Sequence, residues 1–310
     1  MEPMGTDDVR PAVDFIGIGA ARSATSWLAN VLRTHPAVCL SDPKEIRYFN
    51  EHLIPVGPNR GKANPVHGRS IDWYEAHFAH ARPHQIRGEF TPVYFCDEAA
   101  ARNIHRHYPD IRLILSLRNP IDRAYSQYWQ HRWLGFHTIP SFEDAIDLGF
   151  GYLELSLYAR QLRRYLDYFA LDQIHVSIFE ELTGSPPRDL QRLCEFLGIA
   201  PVDPAELAGL HRNAGLSVRS PGVKTLVRAA SQGLSSMGLG GLMRGMRKAG
   251  AQRIWHRLMS KPRENPPLAA TTRDRLRPYF ADDVAELEGM LGRDLSIWGI
   301  GSGRQEDSGG

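Results

Sequence analysis

The chain has 310 residues, 42% of them hydrophobic, enough to bury a large core as one large domain or two small ones. Its 37 Lys and Arg against 35 Asp and Glu leave a formal net charge of +2, too small to mark the whole chain as a nucleic-acid binder. Cys39, Cys96 and Cys194 lie far apart and match neither a CxxC motif nor a zinc pattern. Cys39 and Cys194, inside apolar runs, read as buried free thiols of a reducing compartment.

The opening residues contain acids and a proline and lack an apolar run, so residues 1–13 read as a flexible tail and not as a secretory signal. No stretch approaches the ~20 apolar residues of a membrane span, and a cytoplasmic protein is expected. Phe15-Ile16-Gly17-Ile18-Gly19 predicts a buried strand, and Ser26 to Arg33 carries apolar residues at helical spacing. Residues 54–68 are rich in Pro, Gly and Asn and predict a surface loop. Gln85 to Phe90 and Ile111 to Arg118 predict two more strands. Pro120 suits the first turn of a helix running on to Trp133. A helix over Ser156 to Phe169, a strand over Ile174 to Phe179 and a helix from Pro187 to Leu197, stopped by Gly198, complete the alternation.

Strands alternating with helices predict an α/β fold, a central parallel sheet with helices on both faces, in a single domain over residues 14–298. Residues 212–263 depart in composition: they hold Arg and Lys but no Asp or Glu, together with the glycine-rich stretch SQGLSSMGLGGLMRG. Two readings stand: a solvated excursion over about 212–268, or a basic lid that attracts an anionic acceptor or an anionic membrane surface. Thr271 to Leu291 predicts a last helix with Leu276, Phe280, Val284, Leu287 and Leu291 on one stripe, and residues 299–310 read as a disordered tail.

Two segments carry chemistry. In Gly17-Ile18-Gly19-Ala20-Ala21-Arg22-Ser23-Ala24-Thr25-Ser26, small residues let the backbone curl around an anion at a helix N-terminus. Arg22 adds a cation, and Thr25 and Ser26 add hydroxyl donors. A Walker A loop would need glycine at Ser23 and lysine at Ala24, and GxGxxG would need a glycine or alanine at Arg22. The second segment, Arg118-Asn119-Pro120-Ile121-Asp122-Arg123-Ala124-Tyr125-Ser126, starts at the end of a parallel strand, where such sheets bind ligands. Arg118 and Ser126 can grip a second phosphate there.

Together the two segments resemble the 5′- and 3′-phosphate-binding elements of sulfotransferases that use 3′-phosphoadenosine-5′-phosphosulfate (PAPS). Further ordered matches are Pro43-Lys44-Glu45-Ile46-Arg47-Tyr48-Phe49, Gly88-Glu89-Phe90-Thr91-Pro92, Tyr158-Ala159-Arg160-Gln161-Leu162, Phe179-Glu180-Glu181-Leu182 and Leu291-Gly292-Arg293-Asp294-Leu295 with Trp298. The similarity is greatest to bacterial-type and heparan-sulfate-type members. It implies a P-loop-like parallel sheet, PAPS as donor, the bisphosphate PAP as product, and no metal. It places Arg22, Ser23, Ala24, Thr25, Ser26 and Trp27 at the 5′-phosphosulfate, and Arg118 and Ser126 at the 3′-phosphate. Arg219 would reach the 3′-phosphate from the late loop, and Phe179 would face adenine or pack in the core. Glu45 would be the general base, Glu89 either the alternative base or a structural support of the loop, and Arg22 the electrostatic catalyst at the leaving group. The acceptor is left open among small molecules, carbohydrates, lipids and peptides, with no nucleic acid expected. A P-loop-type kinase and a non-catalytic nucleotide-binding protein are the rival classes.

Overall fold

The computed structural model describes residues 12–51, 63–184, 186–202, 216–218, 260–262 and 265–300. Five parallel strands form the central sheet: β1 (Phe15–Gly19), β2 (Val38–Leu40), β3 (Ile86–Phe90), β4 (Arg112–Leu117) and β5 (Ile174–Ile178), in the order β2-β3-β1-β4-β5. The predicted P-loop-like α/β architecture is therefore present. The short β2 lies between Pro36 and Pro43, too brief for a periodic signal, and has no counterpart among the predicted elements. The helices are α1 (Thr25–Thr34), α2 (Ile71–Glu75), α3 (Ala100–His107), α4 (Pro120–Trp133), α5 (Phe142–Asp147), α6 (Tyr158–Leu166), α7 (Phe179–Gly184), α8 (Pro186–Leu197) and, after a small antiparallel pair β6 (Leu216–Val218) and β7 (Ser260–Pro262), α9 (Ala270–Leu291).

Strand residues point alternately to the two faces, so each strand feeds two cores. Ile16, Ile18, Leu113, Leu115 and Leu117 pack with Ile104, Leu162 and Phe280 on one face. Phe15, Phe90 and Ile114 pack with Leu28, Leu32, Leu193 and Cys194 on the other. Cys39 and Cys194 are buried free thiols, as expected. Val13 is 1% exposed and Ile300 is 2% exposed, so both join the packed core, although the sequence assigns them to the tails. No helix among the described residues is long and apolar enough to cross a membrane. Most of the basic region 212–263 lies outside the described residues.

The strand order sends chain connections outward in both directions from β1, so the crevice beyond the carboxyl ends of β1 and β4 is the natural binding edge. Interlocked aromatics hold β1 against β3. Phe15 sits opposite Gly88 and Gly17 opposite Phe90, and the two rings meet edge to face at 6.2 Å. A Cβ at Gly88 would lie 2.2 Å from Phe15, and one at Gly17 would lie 2.1 Å from Phe90. Gly88→Ala is expected to cost about 1–3 kcal/mol through overpacking. A lowered thermal unfolding midpoint checks this; an unchanged midpoint would mean the rings shift freely.

Candidate active site

The end of β1 turns into α1 through residues 20–24. Arg22 (φ 74°) and Ala24 (φ 63°) both take the left-handed conformation, with Ser23 between them. Such a turn aims successive backbone N–H groups into one concavity, which suits an anion. Ala24 is the helix N-cap and makes no side-chain capping bond, and the first turn of α1 carries no acid. The helix therefore presents its N–H groups and positive dipole end to the same space. The loop is pinned from β4: the Ala20 amide donates to Ser116 O at 2.7 Å, and Ser116 Oγ donates to Ser23 O at 2.5 Å. Ser23 and Thr25 are buried, Ser26 is exposed, and half-buried Trp27 packs on the apolar cluster beneath α1.

The second predicted cradle meets the first directly. Arg22 Nε donates to Ser126 Oγ at 3.0 Å, joining residues 104 positions apart. Arg118 follows β4, reaches Arg22 O at 3.5 Å, and lays its guanidinium over Phe179 at 4.5 Å from the ring centre. Phe179 is half-buried, and here its ring carries Arg118. The buried Arg118 Nε has no hydrogen-bond partner among the described residues. Arg22 is pulled down to about 10 by burial and by the charges of Arg118 and Arg123. Among the described residues, none of these three guanidinium groups pairs with a carboxylate. Three cations gathered without an acid repel one another, an arrangement that an anion nearby would relieve.

Arg118 is steadied from behind by a contact that sequence reasoning missed. Asn119 caps α4 with its Oδ1 and donates Nδ2 to Trp298 O at 2.8 Å. The Asn119 amide and Trp298 Nε1 both donate to Glu180, at 2.9 Å each. Tyr158 OH donates to Arg118 O at 2.9 Å. Arg123 was missed as well. Its signal is an arginine at a core-facing position of α4, repeated at helical spacing by Gln127 and His131. Arg219 lies outside the described residues.

Glu45 lies beside the start of α1, joined to it through Lys44. Lys44 Nζ donates to Glu45 Oε1 at 3.1 Å and to Ser26 Oγ at 3.3 Å, so one ammonium joins the carboxylate to the loop. Arg47 holds the other carboxylate oxygen at 3.3 Å. Glu45 and Arg47 both have positive φ, a backbone conformation that persists only where neighbours enforce it. Glu89 is one of those neighbours. It is fully buried and accepts from Tyr74 OH at 3.1 Å, Tyr94 OH at 2.8 Å and Thr91 Oγ1 at 2.7 Å. Thr91 Oγ1 in turn accepts the Arg47 amide at 3.3 Å, and the Ile46 amide bonds Glu89 itself. This burial favours the supporting role for Glu89 over that of a base. The Tyr48-Phe49 pair packs here too, with Tyr48 stacked on Tyr74 at 4.9 Å. Among the described residues no cluster of three or more His, Cys, Asp or Glu could hold a metal.

Burial raises the Glu89 pKa above its ordinary value. The folded protein then holds that proton more tightly than the unfolded chain. The stability this contributes is full below the unfolded carboxyl pKa and is lost as pH rises through the raised value. Glu89→Gln cannot titrate, so wild type should exceed it in thermal midpoint by more at acidic than at neutral pH. A gap independent of pH would place the Glu89 pKa at its unfolded value.

Three comparisons bear on what this site is. Residues 14–204 match the family described as "Sulfotransferase family". Human heparan sulfate glucosamine 3-O-sulfotransferase 5 is 27% identical over 195 residues, covering 59% of this chain and 53% of that protein. The mouse heparan sulfate glucosamine 3-O-sulfotransferase 6 is 29% identical over 190 residues, covering 59% of this chain and 51% of that protein. The chain thus spans about half the length of the curated relatives it matches. The crystal structure of a sulfotransferase from Alicyclobacillus acidocaldarius superposes with a TM-score of 0.64 at 26% identity, covering 94% of this chain and 99% of that one. With the family match spanning more than half of its length and the parallel sheet in place, the chain belongs to the sulfotransferase family.

Proposed function

We propose that the protein transfers a sulfuryl group from PAPS to a hydroxyl or amine of an acceptor, with Glu45 as the general base. The observation that carries this reading is the convergence of Arg22, Arg118 and Ser126 at one crevice, with Arg22 bonded to both of the others, one lysine away from a restrained carboxylate. Arg22, Ser23, Ala24, Thr25 and Ser26 would hold the 5′ end of the donor, and Arg118 and Ser126 the 3′-phosphate. When bound, the donor supplies SO3 and leaves as the bisphosphate PAP.

The rest falls to the protein. Transfer of this kind asks mainly for alignment and for cations where charge develops. Arg22 stays protonated, so it acts at the leaving group by electrostatics and not as a proton donor. Glu45 accepts the acceptor's proton at a free lone pair, since Lys44 and Arg47 each occupy only one on either oxygen. Lys44 lies between Glu45 and Ser26 and would bring base and donor into one register. Likeness to the heparan sulfate enzymes supports a carbohydrate acceptor and a sugar hydroxyl as the nucleophile.

Calorimetry with PAP, with and without EDTA, tests the donor. Metal-independent binding is expected; strict metal dependence, or turnover with Mg·ATP and none with PAPS, would overturn the reading. Arg118→Ala should weaken PAP by about 1.5–3 kcal/mol, the scale of a charge-assisted contact, and should weaken 5′-AMP less. Equal losses would remove Arg118 from the 3′-phosphate. Glu45→Gln keeps shape but cannot accept the proton, so single-turnover sulfation should fall about 10²–10⁴-fold with PAP affinity little changed. Near-normal turnover would exclude Glu45 as base.

A further inference from the structure

Arg123 is 1% exposed, so it cannot reach a ligand in the crevice. Its guanidinium nevertheless faces the phosphate loop, with Nη1 at 3.5 Å from Ala21 O. The remaining bonds go to neutral acceptors: Nε to Ser156 Oγ at 2.5 Å, Nη1 to Gln127 Oε1 at 2.5 Å and Nη2 to Tyr152 O at 2.7 Å. No carboxylate pairs with it among the described residues. A buried arginine without an acid is costly, because desolvation is offset only by hydrogen bonds.

The surroundings keep the charge unshared. Burial, His137 and the charges of Arg123 and Arg22 pull His131 down to about 4, so it is neutral at pH 7. His131 spends Nδ1 on Tyr152 OH at 3.0 Å, and His137 reaches the same hydroxyl at 3.1 Å. The buried stripe Arg123, Gln127 and His131 along α4 therefore carries a single positive charge, placed at the end nearest the loop.

The geometry points to Arg123 as a third cation of the anion site, a positioning residue that never touches the ligand. It holds the loop at Ala21 and adds a fixed positive field, so the crevice selects ligands with two phosphate groups over those with one. This rests on the proposed nucleotide site, and it assigns ligand selectivity to a residue behind the contacts.

The test compares wild type, Arg123→Lys and Arg123→Gln, titrated with PAP and with 5′-AMP, with unfolding midpoints measured in parallel. A field acts in proportion to ligand charge. Arg123→Gln should weaken PAP by about tenfold or more and 5′-AMP by clearly less, and Arg123→Lys should keep most of the preference for PAP. A role confined to loop packing would weaken both ligands equally, with Lys as harmful as Gln; that result would overturn the inference. If Arg123→Gln does not fold, Arg123→Met serves as the neutral variant: a reduced preference for PAP over 5′-AMP supports the field, and an unchanged ratio of the two affinities refutes it. Failure of the wild type to bind either ligand would instead refute the nucleotide site itself.

Discussion

The amide of Ala20 donates to the carbonyl of Ser116, and that single bond ties the exit of β1 to the exit of β4. Ser116 then uses its hydroxyl on Ser23 O, so one strand residue fixes the loop twice. Everything that could hold two phosphates follows from this junction. Arg22 leaves β1 and Arg118 leaves β4, and the parallel register delivers both to the same edge. Had the two strands been antiparallel, their exits would lie at opposite ends of the sheet.

The site handles buried charge in two opposite ways. Around Glu89 the protein surrounds a single carboxylate with hydroxyl and amide donors, and the result is rigidity beneath the Glu45 loop. Around Arg22, Arg118 and Arg123 it gathers cations and gives them no acid among the described residues. Cations gathered without an acid repel one another, which is the opposite solution to the one around Glu89. The two regions are neighbours through Lys44, whose ammonium reaches the loop serine and the Glu45 carboxylate at once.

Much of this was readable from the chain. Continuous apolar runs ending in Gly19 and Arg118 announced buried parallel strands, and the small residues before α1 announced the tight turn into it. Arg22, Arg118 and Ser126 were recognisable because a strand end and a helix start constrain where a side chain can go. β2 was not, since three residues between prolines carry no period. Glu45 is ranked before Glu89 by resemblance alone, because their physical difference is burial, which depends on Tyr74 and Tyr94 arriving from separate elements. Arg123 drew no reading of its own from the sequence, and its role depends on α4 turning it toward Ser156 and Tyr152. Trp298 and Asn119 are 179 positions apart, and no local pattern announces such a bond.

That distant bond has a consequence in time. A ribosome delivers β1, its loop and β4 long before Trp298 emerges, yet the strand end at Asn119 is completed only by the Trp298 carbonyl and by Glu180, which Trp298 also engages. Both cradles can be present on the nascent chain while the one at Arg118 still lacks its backing. The end of β4 at Arg118 and Asn119 therefore reaches its final geometry only once Trp298 has docked, late in the folding of the domain.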